Sequence, residues 1–196
     1  MFRFLWIVVS APSGAGKTTL VKKILKKHPQ FGFSTSVTTR PPRTGEKNGR
    51  EYHFISEKEF LRLRKTGKLL EWAKIHGFYY GTPAAPLKSK RKWRTIFFDV
   101  NRQGARVIKK FFPEAVLVFI FPPGWKTLKT RLSGRGTESK SEVRRRLSDA
   151  KREMAAARRY DYWIVNRTVA SSVKRLEAIL AAELSRPVRL EAGNKK

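Results

Sequence analysis

The residues best suited to binding phosphate lie near the start of the chain, in the segment 10–19. Its glycines, Gly14 and Gly16, come directly before Lys17 and Thr18, which is the spacing of a phosphate-binding loop. Glycines let backbone N–H groups turn toward an anion, and a helix beginning there adds the positive end of its dipole. Lys17 would reach the terminal phosphates, and the Thr18 hydroxyl would hold Mg²⁺. With no phosphate bound, we expect the Lys17 ammonium to face solvent.

The segments on both sides of this loop have the order that such a loop requires. The apolar residues 4–9 predict a buried strand before it, and residues 19–27 have the apolar spacing of an amphipathic helix. The first position of the motif departs from the generic pattern, because Ala11 stands where glycine is usual. A plain glycine turn before a helix is the alternative, but it accounts for neither the strand nor the Gly-Lys-Thr triplet.

Two further groups of arginines could bind phosphate. In the run Arg-Pro-Pro-Arg at 40–43, the prolines hold the backbone extended, and each guanidinium offers a planar fork of donors. Farther along, Arg131 and Arg135 lie beside Gly134 and Gly136, which could be the hinges of a lid. A solvated basic surface is the alternative in both places, and these residues alone do not decide between the two.

Strands and helices alternate along the chain, which predicts an α/β fold with a mostly parallel sheet flanked by helices. Apolar runs at 95–100, 115–121 and 162–165 predict buried strands. Asp99 ends the first of these runs, and ligands of open α/β sheets bind at the carboxyl ends of strands.

One part of the chain departs from this alternation, because short β-type segments follow one another from about residue 35. Strands are predicted at 52–55 and 69–75, a helix at 57–65, and an aromatic turn at 76–82. We predict a β-rich insertion and a helical lid within the core fold. The predicted boundaries are core 1–34, insertion 35–92, core 93–123, lid 124–159 and core 160–196.

The composition shows one unusual feature, a formal net charge of +29 in 196 residues. Such a surface should attract polyanions, so non-specific association with nucleic acid is a possible added property. The alternative is a general bias toward lysine and arginine, because the charges are spread over many helix faces. The chain has no cysteine, which excludes disulfides and thiolate metal sites. No apolar run approaches bilayer length, so we predict a cytoplasmic protein without membrane contact.

Several motifs in the same order resemble guanylate kinase along most of the chain. They include the loop 10–18, the run 36–43, Gly45-Glu46, Glu71, the stretch 79–82, the triplet 103–105, the segment 131–138, Arg146-Leu147 and the triplet 164–166. The resemblance implies a P-loop NTPase-type fold with a small nucleoside-monophosphate-binding insertion and a helical lid. It also implies an enzyme that transfers the γ-phosphoryl group of ATP to GMP or dGMP, giving ADP and GDP in purine nucleotide metabolism.

The roles of family residues carry over to matching positions. The resemblance implies that ATP is bound by Ala11, Pro12, Ser13, Gly14, Ala15, Gly16, Lys17, Thr18, Thr19, Arg131 and Arg135. It implies that the GMP phosphate is bound by Ser36, Arg40, Arg43, Tyr52 and Tyr80, and that guanine is read by Glu71, Thr82 and Asn101. The residues implied in catalysis are Lys17, Arg43, Arg131, Arg135 and Arg146. Mg²⁺ would enter with ATP, held by Thr18 and, through water, by Asp99. The family usually has aspartate where this chain has Asn101.

Three other functions are consistent with parts of the sequence. A kinase of a phosphorylated sugar, such as ribose 1,5-bisphosphate, would share the fold, but it would have no use for Glu71 and Thr82 as guanine readers. An inactive module that binds partner proteins would tend to lose the loop lysine, and Lys17 is present. A nucleic-acid-binding protein is suggested by charge alone.

Overall fold

The computed structural model describes residues 4–75, 77–84, 93–133 and 140–187. In chain order its strands are β1 (Leu5–Ser10), β2 (Gly32–Ser34), β3 (Val37–Thr38), β4 (His53–Phe54), β5 (Leu69–Ile75), β6 (Phe78–Pro83), β7 (Thr95–Asp99), β8 (Val116–Phe121) and β9 (Tyr162–Val165). Its helices are α1 (Lys17–Lys27), α2 (Glu57–Lys65), α3 (Arg102–Phe111), α4 (Trp125–Ser133), α5 (Lys140–Ala155) and α6 (Val169–Leu184). A short 3₁₀ helix, Ala156–Arg159, continues from α5.

The main sheet is parallel, with the strand order β2-β7-β1-β8-β9. Strand β1 lies at its centre and is buried on both faces, which explains why its sequence is an uninterrupted apolar run. Leu5, Ile7 and Val9 pack with α1 and α6 on one face. Trp6 and Val8 pack with α3 on the other. The predicted α/β fold, a mostly parallel sheet covered by helices, is confirmed.

A second sheet, in the order β4-β3-β6-β5, is built from the segment between β2 and β7. Strand β6 pairs antiparallel with both β3 and β5, so the predicted aromatic turn at 76–82 is wrong. Gly77, at φ 87°, lies between β5 and β6, and Phe78–Pro83 is a paired strand. The consecutive aromatic residues Phe78, Tyr79 and Tyr80 suit a strand, since aromatic side chains pack well on a sheet. The domain boundaries predicted from the sequence stay a prediction.

Three helix starts are fixed by side chains that accept backbone N–H groups. Ser56 caps α2, Asn101 caps α3 and Thr168 caps α6. The side chain of Glu59 pairs with Arg62 within α2.

Helices α4 and α5 pack on each other through Leu128, Leu132 and Ala150. None of the helices in the described ranges is both long and apolar enough to cross a membrane.

Candidate active site

An open cleft of about 1590 Å³ lies at the carboxyl ends of the parallel strands, between the loop after β1 and the second sheet. Its volume exceeds the roughly 300–1,000 Å³ of a typical single-ligand pocket, so it has room for two ligands. Most of the predicted site residues line it: Ala11, Pro12, Ser13, Gly14, Gly16, Lys17, Thr18, Thr19, Ser36, Arg40, Arg43, Tyr52, Glu71, Tyr80, Asp99, Asn101, Arg131 and Arg146. Ala15 and Thr82 are instead fully buried. Arg135 lies outside the described residues.

The loop after β1 has the backbone that an anion-binding loop needs. Gly14 and Gly16 have φ of +85° and +91°, a region that residues with a Cβ rarely adopt. Gly16 is also the N-cap of α1, so unpaired N–H groups and the positive end of the helix dipole meet there. This arrangement favours a phosphate group in the cleft.

Asn166 supports this loop through two hydrogen bonds, a role that its sequence position does not reveal. Its Nδ2 donates to the carbonyl oxygen of Ala15 at 2.7 Å, and its Oδ1 accepts from the Ser172 hydroxyl at 2.9 Å. A Cβ on Gly16 would lie 2.5 Å from the same Nδ2. Because Asn166 is buried, this hydrogen bond fixes the Ala15 carbonyl and with it the backbone of the loop. The sequence signals for Asn166 were its position directly after β9 and its place in the motif 164–166, and neither reveals this contact.

Lys17 is partly buried and makes an ion pair with the Asp99 carboxylate, so the prediction that it faces solvent is wrong. Its Nζ also lies 3.4 Å from the carbonyl oxygen of Val100. A partly buried ammonium without a partner is unfavourable, and Asp99 at the end of β7 supplies the opposite charge. A bound phosphate would therefore compete with Asp99 for Lys17.

The residues near Lys17 are compatible with Mg²⁺ bound together with a nucleotide. Thr18 and Asp99 both line the cleft and offer a hydroxyl and a carboxylate oxygen. Among the described residues, no cluster of three acidic or histidine side chains could hold a metal on its own. Mg²⁺ usually keeps several waters and binds through one or two protein oxygens plus substrate phosphates, so this small set fits it.

Across the cleft, four predicted phosphate-binding residues lie in or beside the second sheet. Arg40 is buried and its Nη2 contacts both carboxylate oxygens of Glu46, at 3.0 and 2.9 Å. The Arg40 guanidinium also lies 5.6 Å from the ring of Tyr52, which packs edge-on against Tyr80. Arg43 is exposed, and its backbone N–H donates to Glu46 at 2.7 Å. Glu46 therefore fixes the loop that carries both arginines.

Glu71, on β5, is the buried carboxylate of the cleft. Its Oε1 accepts from the Thr82 hydroxyl at 2.5 Å, and Thr82 is fully buried beneath it. Burial raises the pKa of Glu71, and the hydrogen bonds from Thr82 oppose that rise. The Oδ1 of Asn101 accepts the Gly104 N–H at 2.9 Å and so caps α3.

Two arginines from α4 and α5 contact the phosphate-binding loop. Arg131 Nη1 lies 3.4 Å from the Gly14 carbonyl oxygen, and Arg146 donates to the Ser13 hydroxyl. Glu153, on α5, also lines the cleft. Burial raises the pKa of Glu153 to about 6, and the charge of Lys17 opposes the rise. Basic side chains outnumber acidic ones along the cleft, as expected for a site that binds phosphorylated ligands.

Known proteins resemble this chain over nearly its full length. The guanylate kinase family model matches residues 5–183. Among curated relatives, a guanylate kinase of Aromatoleum aromaticum is 46% identical over 90% of this chain and 87% of its own. Another, of Oleidesulfovibrio alaskensis, is 43% identical over 94% of this chain and 91% of its own.

Among solved structures, the guanylate kinase of Anaplasma phagocytophilum superimposes with a TM-score of 0.80 at 31% identity, covering 96% of this chain and 90% of that one. Sequence and structure therefore agree with the resemblance seen in the motifs. The chain belongs to the guanylate kinase family.

Proposed function

We propose that this enzyme transfers the γ-phosphoryl group of ATP to GMP or dGMP, giving ADP and GDP. The observation that carries the proposal is the buried carboxylate of Glu71, which is held by Thr82 and lines the same cleft as Lys17 and Arg43. Guanine presents N1–H and a 2-amino group as donors, and a carboxylate in a dry site is the acceptor that selects them. Adenine has no donor at N1 and should be rejected.

The arrangement supports direct transfer between two bound nucleotides. ATP would lie on the loop 11–19, with Lys17 moving from Asp99 to the terminal phosphates. The GMP phosphate would bind Arg40, Arg43 and the hydroxyls of Tyr52 and Tyr80. The Tyr52 hydroxyl is protonated at neutral pH, and burial raises its pKa further, so it remains a donor. The positive groups around the transferred phosphoryl group then offset the charge that develops on it.

Arg131 on α4 and Arg146 on α5 would contact the transferred phosphoryl group. The same role is proposed for Arg135 from the family resemblance. Closure of these helices over the substrates would exclude water, which otherwise would hydrolyse ATP. Thr18 and, through water, Asp99 would hold Mg²⁺, which supplies additional charge neutralisation when bound with ATP. The cytoplasmic location stays a prediction from the sequence.

The proposal is tested by a coupled assay with ATP and a panel of acceptors. GMP and dGMP should be phosphorylated, whereas AMP, CMP and UMP should be poor substrates. Ribose 1,5-bisphosphate belongs in the panel because a sugar-phosphate kinase could share this fold. If only the sugar phosphate is used, the guanine-reading role of Glu71 is wrong. If no acceptor is used, the chain is not an active kinase.

Asn101→Asp should improve the use of GMP. In the native chain Asn101 Oδ1 already accepts the Gly104 N–H, and its remaining acceptor capacity is neutral, while the Asn101 amide nitrogen is a donor and so cannot pair with the guanine donors. An aspartate could keep the cap with one oxygen and offer the other as a charged acceptor. We expect kcat/KM for GMP to rise about tenfold, equivalent to about 1.4 kcal/mol, without a matching rise for AMP.

A charge-matched control is Asn48→Asp, since the Asn48 amide oxygen also accepts a backbone N–H, that of Phe54. It should leave kcat/KM for GMP unchanged. An unchanged or lower kcat/KM for GMP in Asn101→Asp would show that residue 101 does not read the base as proposed.

We also propose sequence-independent association with polyanions, supported by the net charge of +29. Binding to a long DNA duplex should be detectable at low salt and should weaken by orders of magnitude toward physiological salt, because phosphate contacts release counterions. Two duplexes of unrelated sequence should give the same affinity and the same salt dependence. Absence of binding at low salt would refute this property without affecting the kinase assignment.

A further inference from the structure

Gly104 lies in the first turn of α3, at a position where a Cβ would clash with neighbouring side chains. An ideal Cβ there would lie 2.9 Å from both Cδ and Oε2 of Glu71, and 3.0 Å from Cβ of Val100. Real Cβ atoms essentially never come within 3.0 Å of such neighbours. The backbone at Gly104 is ordinary helix, so local conformation does not require glycine. Glycine inside a helix costs about 1 kcal/mol relative to alanine, and its presence here requires another reason.

The space above Gly104 is filled by the carboxylate of Glu71. One of its oxygens, Oε1, is held by the Thr82 hydroxyl at 2.5 Å. The other, Oε2, lies against the first turn of α3, where N–H groups and the helix dipole favour negative charge. The carboxylate is therefore held between a hydroxyl on one side and a bare helix backbone on the other.

The turn under the carboxylate is itself fixed. Asn101 accepts the N–H of Gly104 at 2.9 Å, which closes the first turn of α3 at this residue. Helix α3 then packs on the main sheet through Ala105 and Ile108, both buried. The surface against which Glu71 rests is thus tied to the core of the protein.

We propose that Gly104 is a positioning residue for base recognition: the absence of a side chain there lets the Glu71 carboxylate lie flat on α3 in the orientation that accepts both guanine donors. This inference rests on the proposed use of GMP. Gly104 does not line the cleft, so its contribution is the space occupied by Glu71.

A methyl group at residue 104 would push Oε2 off the helix and strain the bond to Thr82. We expect Gly104→Ala to lower kcat/KM for GMP by at least about tenfold, the loss expected for a misaligned hydrogen bond to a charged group. The KM for ATP should not change. IMP has the same N1–H as GMP and lacks the 2-amino group, so the preference for GMP over IMP should shrink.

Two companion variants separate positioning from a general packing defect. Gly124→Ala places a methyl group where no atom lies within 4 Å, at an ordinary φ, and should leave all kinetic constants unchanged. Glu71→Asp shortens the carboxylate by one methylene, so Gly104→Ala should cost less in a Glu71→Asp background than in the native chain. This rescue would not occur if the methyl group merely disrupted the helix.

The outcomes are distinct. A native enzyme that uses GMP, together with Gly104→Ala of unchanged KM for GMP, overturns the positioning role alone. An equal rise of the KM for ATP and the KM for GMP in Gly104→Ala also overturns it. So does an equal loss of kcat/KM for GMP when Gly104→Ala is made in the native chain and in the Glu71→Asp variant. A native enzyme that does not phosphorylate GMP refutes the proposed function, and this inference with it. If Gly104→Ala does not fold, failure of Glu71→Asp to restore folding overturns the proposal, because the clash is with the longer carboxylate.

Discussion

Replacement of Lys17 by alanine is expected to reduce phosphoryl transfer by a factor on the order of 10² to 10³, the usual cost of removing one preorganised donor from a charged transition state. The fold should remain, because the loop is held by its glycines and by Asn166. The melting temperature should fall, since the variant leaves the mostly buried Asp99 carboxylate without its ammonium partner. The measurements are kcat at saturating ATP and GMP, and thermal unfolding.

Lys23→Ala is the matched control, because Lys23 is an exposed lysine of the same helix and does not line the cleft. It should retain native kcat and melting temperature. Near-native turnover together with an unchanged melting profile in Lys17→Ala would show that Lys17 neither binds phosphate nor pairs with Asp99 in solution.

Replacement of Arg43 by alanine should raise the KM for GMP roughly 10- to 150-fold, which corresponds to the loss of a hydrogen bond to a charged group. The KM for ATP should stay close to the native value, because Arg43 lies across the cleft from the phosphate-binding loop. Arg43 is exposed, so its removal should not change the melting temperature. Initial rates with each substrate varied in turn provide the measurement.

Arg40→Ala gives an instructive comparison. Arg40 is buried and paired with Glu46, so its removal should raise the KM for GMP and also lower the melting temperature. Arg64→Ala, an exposed arginine of α2 that packs over Trp72 away from the cleft, should leave the KM for GMP unchanged. A rise confined to the KM for ATP in Arg43→Ala would reassign that arginine to the donor nucleotide.

Local sequence patterns predicted most of the elements, because their causes are local. Strand β5 has the bounds predicted from its sequence, and α2 begins at its Ser56 cap. Strand β6 was not predicted, since its stability comes from pairing with β3 and β5, and the sequence offers no local signal for those partners. Its aromatic residues and neighbouring glycine suggested a turn instead.

The sequence predicted which residues form the site better than it predicted the contacts between them. The phosphate-binding loop is a contiguous motif, so its residues could be named from spacing alone. The contact of Lys17 with Asp99 depends on two strands being adjacent in the sheet, which residue spacing does not reveal. The motif resemblance includes Glu46, Asn166 and Gly104, but it did not predict their supporting roles, because these depend on three-dimensional contacts or on the space that a residue leaves.

Strands β2 and β7 are neighbours in the main sheet, although the whole second sheet lies between them in sequence. The segment that carries Arg40, Arg43 and Glu71 thus leaves the sheet and returns to it at adjacent points. Such a segment can be exchanged for one of different length while the remaining strands keep their partners. Acceptor choice is in this sense largely carried by a replaceable module. Because Asn101 and Gly104 lie after β7, outside this segment, grafting the corresponding segment of a relative together with its residues at these two positions should transfer acceptor preference without altering how ATP is bound.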